Sequence, residues 1–105
     1  VKVSFLIPAY NEAATIGALL AQVAALELDK QVIVVDDGST DDTAAIAEAA
    51  GVTVLRQRNK GKGAAIRAAI PHVDGEIAVI QDADLEYDPA EVPGLIDPIL
   101  KGHAD

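Results

Sequence analysis

The sequence predicts an α/β fold: a mostly parallel four-stranded sheet with helices on both faces. Three observations predict it. Apolar runs of strand type alternate with segments of helical periodicity, so the chain reads β-α four times over. The second run, Val32-Ile33-Val34-Val35, is continuously apolar, as in a strand covered on both sides. The connections have the length that parallel pairing requires. Residues 1–105 read as one unit, with no internal repeat, low-complexity tract or linker.

Taken in order, residues 3–7 form the first strand and Pro8 ends it. Asn11 is placed as N-cap of the first helix, in which Ile16, Leu19, Leu20, Val23 and Leu26 share one face. Glu12 suits the helix dipole as well as a ligand. Residues 31–36 form the second strand, which ends in Asp36-Asp37-Gly38-Ser39-Thr40-Asp41-Asp42. Gly38 fits a tight turn, and Ser39 or Thr40 caps an alanine-rich helix running to Ala50. One of Asp36 and Asp37 is expected to stabilise the loop, leaving the other for a ligand.

Residues 52–55 form the third strand. Arg56, Arg58, Lys60, Lys62 and Arg67 follow, five of the eight bases within twelve residues. Gly61 and Gly63 flank Lys62 and open a helix carrying Ile66 and Ile70, where backbone N–H groups can approach an anion. The alternative is a flexible loop with surface charge. The fourth strand, Ile77-Ala78-Val79-Ile80, stops at an acidic cluster. Asp88-Pro89-Ala90-Glu91 reads as a capped helix start, followed by Val92, Leu95, Ile96, Ile99 and Leu100, with Pro98 bending or shortening the helix and Gly102 stopping it. That leaves Asp82, Asp84 and Glu86 at alternate positions. In extended chain they project to one side, and a hard divalent cation would relieve their repulsion; a solvated acidic loop is the plainer reading. All four chemistry-bearing loops (residues 8–12, 36–39, 58–63 and 82–86) follow strands, so they meet at one sheet edge, where α/β sheets bind ligands.

Composition narrows the function. Seventeen acids against eight bases give a formal charge of −9, which argues against nucleic acid or an anionic membrane as direct partner. There is no cysteine, hence no disulfide, zinc-thiolate site or thiol nucleophile. No apolar run approaches the ~20 residues of a membrane span, so the expectation is a soluble, cytoplasmic chain. An open sheet edge would invite homo-oligomerisation. His72 and His103 have no partner pattern and are expected at the surface. A dinucleotide fingerprint fails because Gly61-Lys62-Gly63 follows the third strand and Ile66 holds the last glycine position; a P-loop fails because Gly63 follows Lys62. An aspartyl-phosphate phosphatase would carry its D-x-D at the first strand.

Ile7-Pro8-Ala9-Tyr10-Asn11-Glu12, Val34-Val35-Asp36-Asp37-Gly38-Ser39-Thr40-Asp41, Asn59-Lys60-Gly61-Lys62-Gly63-Ala64 and Gln81-Asp82-Ala83-Asp84-Leu85-Glu86-Tyr87-Asp88-Pro89 resemble successive motifs of family 2 glycosyltransferases. The likeness is strongest to the polyprenyl-phosphate (dolichyl-phosphate) mannosyl- and glucosyltransferase branch. It implies the Rossmann-like, nucleotide-binding half of a GT-A fold over residues 1–105, with acceptor-binding and diphosphate-clamping residues supplied by later segments. It further implies metal-assisted, inverting transfer of a hexose from a nucleotide-diphosphate sugar (GDP-mannose or UDP-glucose type) to an acceptor such as a polyprenyl phosphate, at the cytoplasmic membrane face. Pro8, Ala9, Tyr10, Glu12, Val35, Asp37, Gly38, Lys62, Asp82, Ala83 and Asp84 would bind the nucleotide sugar, with Asp37 accepting a hydrogen bond from the base. Asp82 and Asp84 would be catalytic, and Asp84 and Glu86 would ligate Mg2+ or Mn2+. Glu86 departs from the glutamine of the mannosyl branch, which leaves metal preference and donor sugar open. Two other readings compete. A receiver-type signalling module would place its acidic pair after the first strand, and a sugar nucleotidyltransferase would carry a Gly- and Arg-rich loop there; residues 8–12 and 36–37 fit neither.

Overall fold

The computed structural model describes residues 1–83. The final helix read from the sequence, with Asp84, Glu86 and His103, lies outside the described residues. The described elements are β1 (Val3–Ala9), α1 (Ile16–Ala24), β2 (Lys30–Asp36), α2 (Thr43–Ala49), β3 (Thr53–Arg56), α3 (Lys62–Ala69) and β4 (Ile77–Ile80), with a 3-10 turn at Ile70–His72. The strands form one sheet in the order β3-β2-β1-β4, and every pair is parallel.

Side-chain alternation divides the core. Val3, Phe5, Ile7 and Ala9 of β1 and Val34 of β2 point to the face covered by Ile16, Leu19, Leu20 and Val23 of α1 and Ala47 of α2. Leu6, Ile33 and Val35 point to the other face, covered by Ala65 and Ala69 of α3. Helices therefore lie on both faces, and the unbroken apolar run of β2 is buried on both. His72 is exposed, as expected.

Three local expectations need correction. Pro8 does not end β1, which continues to Ala9 with Pro8 opposite Val35. The backbone amide of Gln81 donates to Leu6 O on the β4 side, and that of Asp37 donates to Ala9 O on the β2 side. By alternation the nitrogen of Pro8 faces the β4 side, beyond the last paired residue of β4, so its missing N–H removes no ladder bond. Asn11 does not cap α1; it sits in the left-handed region at φ 52°, and Thr15 occupies the N-cap. Neither Ser39 nor Thr40 caps α2. Asp42 stands at its N-cap position without a side-chain cap bond, and Asp41 Oδ1 accepts from the Thr43 amide at 3.0 Å. The buried face of α3 is made of alanines: Ala65 and Ala69 are fully buried, while Ile66 is half-buried and Ile70, in the turn that follows, is 56 % exposed. Alanines let the helix backbone lie close against β1 and β2.

Candidate functional site

The strand order reverses at β1: β2 and β3 build outward on one side and β4 on the other. Ligands of open α/β sheets bind at the carboxyl ends of strands at such a point. A cleft of about 170 Å³ opens there, lined by Pro8, Ala9, Tyr10, Glu12, Asp37, Lys62, Asp82 and Ala83. All eight belong to the site read from sequence. A larger cleft of about 650 Å³ lies at the opposite edge, among Leu20, Ala24, Lys30 and Val52. Among the described residues its lining includes no carboxylate and no residue of the strand-end loops.

The first two loops brace each other. The left-handed Asn11 donates its amide to Ser39 Oγ and accepts from the Thr40 amide at Oδ1, both at 2.8 Å. The Glu12 amide donates to Thr43 Oγ1 at 2.9 Å, and the Ala13 amide to Asp41 Oδ2 at 3.2 Å. The Thr43 hydroxyl donates to Asp41 Oδ1. That bond is the largest influence on the Asp41 carboxyl and holds it below its ordinary range, against burial. Asn11, Ser39 and Thr40 thus fix the entry to the site rather than the helices.

The next two acids both hold loops, so neither is left over for a ligand alone. Asp36 Oδ1 accepts from the Ser39 amide at 3.2 Å. Asp37 is 5 % exposed. Its Oδ1 accepts from Gln57 Nε2 at 2.8 Å and the Lys60 amide at 2.7 Å, and its Oδ2 from the Gly61 amide at 2.9 Å. Burial pushes the Asp37 carboxyl up, and the bonds from Gln57, Lys60 and Gly61 together outweigh burial and hold it below its usual value. The loop of residues 57–61 is in effect wrapped around this carboxylate. Gly38, at φ 81°, makes the wrapping possible: a Cβ there would sit 2.7 Å from the Asn59 backbone nitrogen.

Wrapping the loop delivers Lys62 to the cleft, where its Nζ meets Asp82 Oδ1 at 2.5 Å. Tyr10, 44 % exposed, offers a ring at the mouth. Val35 is not brought to the cleft; its side chain is 1 % exposed in the core on the α3 face. Gly38 does not line the cleft either, and acts through the loop. Among the described residues lining the cleft, three carboxylates (Glu12, Asp37, Asp82) stand against one ammonium, a balance that disfavours a diphosphate unless a further cation accompanies it. The hard oxygen donors suit Mg2+ or Mn2+. Among the described residues no three acidic or histidine side chains are grouped to hold a metal ion, and Asp82 is the described member of the acidic set. Two residues that build the site carry no local sequence signal. Gln57 reaches Asp37 across twenty positions, and Thr15 donates to Ala83 O across sixty-eight.

Comparison with known proteins places these features in company. Residues 4–105 match the family model described as Glycosyl transferase family 2. The undecaprenyl-phosphate 4-deoxy-4-formamido-L-arabinose transferase of Sodalis glossinidius is 42 % identical over 107 residues, covering 91 % of this chain and 33 % of that protein. Its Pseudomonas aeruginosa counterpart is 38 % identical over 112 residues, covering 96 % and 33 %. The chain therefore spans about a third of the curated relatives it matches. Among solved structures, glucosyl-3-phosphoglycerate synthase from Mycobacterium tuberculosis, in complex with Mn2+, uridine diphosphate and glucosyl-3-phosphoglycerate, superposes with a TM-score of 0.82 at 34 % identity. The match covers 94 % of this chain and 39 % of that one. The same enzyme with Mg2+ and uridine diphosphate gives 0.81 at 33 %. Among the described residues no helix is long and apolar enough to cross a membrane.

Proposed function

The chain belongs to glycosyl transferase family 2, and from that premise we propose that it forms the donor-binding half of a glycosyltransferase moving a sugar from uridine diphosphate to a polyprenyl phosphate. One observation carries the reading: every described residue lining the cleft at the strand-order reversal belongs to a stretch that resembles a family motif. Uridine is favoured over guanosine by the solved relatives at about a third identity, whose complexes contain uridine diphosphate. The acceptor class follows the curated relatives, named as undecaprenyl-phosphate transferases. With a polyprenyl phosphate as acceptor, the proposed reaction runs at a membrane surface.

In this reading Pro8, Ala9 and Tyr10 wall the base. Asp37 accepts from the base with the remaining capacity of Oδ2, while its other bonds keep Lys62 in place. Lys62 exchanges Asp82 for the diphosphate, and Asp82 is freed toward ribose or sugar. Asp84 and Glu86 would hold Mg2+ or Mn2+, which would neutralise the diphosphate as leaving group. The acceptor phosphate oxygen is already anionic near neutrality and displaces the diphosphate at the anomeric carbon, with inversion and without a strong base. The 105-residue chain alone binds donor and does not turn over.

The test is transfer by a protein containing this chain and the following segments. Labelled UDP-sugar with undecaprenyl phosphate should give a lipid-linked sugar and free UDP. Transfer to 3-phosphoglycerate and not to the lipid would overturn the acceptor assignment, and robust transfer by residues 1–105 alone would overturn the half-site reading.

A further inference from the structure

Charge is segregated along the chain. Residues 49–73 contain no acid, in a sequence with seventeen, and hold five of the eight bases. Two of the five are neutralised, Arg56 by Glu48 and Lys62 by Asp82, each at 2.5 Å. Arg58, Lys60 and Arg67 are exposed and pair with no carboxylate among the described residues. Two features gather them. Asp37 takes the Lys60 and Gly61 amides, which folds the loop of residues 57–61 against the start of α3. Arg67 lies back along that helix, with Nη1 3.4 Å from where a Cβ on Gly63 would stand. Its charge thus lies toward Lys62, at the end of α3 whose dipole repels cations. Like charges collected there with nothing to balance them favour an anionic partner. The same outer stripe is apolar farther along. Ala65 and Ala69 face the sheet, so helical spacing turns Gly63, Arg67 and Ile70 outward, with Ile66 at their flank. Ile70 is 56 % exposed. The exposed acids Asp41 and Asp42 lead into α2, which covers the opposite face of the sheet.

We infer that the outer face of α3 and the loop before it form a docking surface for an anionic lipid bilayer. Arg58, Lys60 and Arg67 meet lipid phosphates, and Ile70 enters the boundary beneath the headgroups. A soluble phosphate would engage the charges alone; an exposed isoleucine on the same stripe is what fits lipid. The chain's formal charge of −9 does not forbid the contact. Exposed charges farther off than a Debye length of about 10 Å are largely screened, so the local patch sets the potential that the bilayer meets. Lys62, at the head of α3, also lines the cleft, so docking on this face brings the rim of the cleft to the lipid surface. What the contact serves, bringing a lipid phosphate acceptor to the donor, rests on the glycosyltransferase reading above; the contact itself does not.

The test is co-sedimentation of the 105-residue chain, without nucleotide, with vesicles of phosphatidylcholine alone or with phosphatidylglycerol as about one lipid in three. Binding should need the anionic lipid and fall away as salt rises from about 0.1 M to about 1 M, where the Debye length shrinks to about 3 Å. Lys60→Gln and Arg67→Gln should each weaken partitioning about fivefold, and the triple variant that adds Arg58→Gln about a hundredfold. Lys30→Gln, among the residues of the cleft at the opposite edge, changes net charge as much as either single variant and should bind like wild type. Ile70→Ser should lose about fivefold through its apolar contact. Melting temperatures identify any variant that loses binding by unfolding. No binding to the anionic vesicles, equal binding to both compositions, or equal losses in Lys30→Gln and Arg67→Gln would overturn the inference. Losses in the basic variants with none in Ile70→Ser would overturn it too, and assign the patch to soluble phosphates. UDP titration of the same sample reads the donor site separately: a chain that docks on anionic vesicles and binds no UDP would overturn the donor-site reading and leave the docking surface standing.

Discussion

Replacing Asp37 by asparagine tests the claim that one carboxylate assembles the basic loop. Asp37 is nearly fully buried and receives three donors, from Gln57, Lys60 and Gly61. Asparagine keeps one acceptor oxygen, so the bonds from Gln57 and Lys60 survive without charge assistance while the new amide confronts the Gly61 N–H. Losing that assistance costs about 1 kcal/mol, and stranding a buried donor about 1–3 kcal/mol, giving about 2–4 kcal/mol together. At roughly 4–8 °C per kcal/mol for a domain of this size, the melting temperature should fall by roughly 10–30 °C near pH 7. The pH dependence adds a second signature. The carboxyl titrates below its ordinary value of 3.8 in the folded chain, so folding releases protons from this group. Its contribution is complete above the unfolded value and is lost as the pH falls through the folded one. The gap in melting temperature between wild type and Asp37→Asn should therefore be constant down to about pH 4 and narrow below it. Circular dichroism melts across the acid range measure both. A melting temperature within about 2 °C of wild type near pH 7, or a gap that widens on acidification, would refute the reasoning.

Gly38→Ala combines a left-handed φ with a Cβ 2.7 Å from the Asn59 backbone nitrogen; urea unfolding should show a loss of about 3 kcal/mol or more, and a loss under about 1 kcal/mol would contradict the wrapped loop. Ala65→Leu should cost about 1–3 kcal/mol by overpacking α3 against the sheet, whereas Ile70→Ser should stay within about 0.5 kcal/mol in the same assay. Lys62→Ala should weaken UDP affinity about tenfold by calorimetry with little change in melting temperature, because its half-exposed pair with Asp82 contributes at most about 1 kcal/mol to folding.

What the sequence made legible follows from how local each cause is. The continuous run of β2 announces burial on both faces, and motifs that follow strands announce one sheet edge; neither depends on distant partners. Pro8 misleads because whether its missing N–H matters depends on where β4 stops pairing. Asn11 misleads because its left-handed conformation is secured by Ser39 and Thr40, residues of another loop. The alanine face of α3 is hidden by a size bias: the isoleucines stand out in the sequence, but close approach of helix to sheet selects Ala65 and Ala69. That one of Asp36 and Asp37 holds a loop is legible; that Asp37 gathers residues 57–61 is not, since its donors lie twenty or more positions away. Thr15 reads as an ordinary helix start until the Ala83 carbonyl is seen beside it.

The central claim is a nucleotide-diphosphate site at the β1–β4 switch point completed by a divalent cation. Its most direct test is calorimetric titration of UDP and GDP into the chain, each with and without Mn2+, in wild type and Asp84→Ala. The account predicts that UDP binds in preference to GDP, that Mn2+ strengthens the binding, and that Asp84→Ala abolishes the gain. A folded chain that ignores both nucleotides in Mn2+, or binds UDP equally without metal and without Asp84, would contradict it.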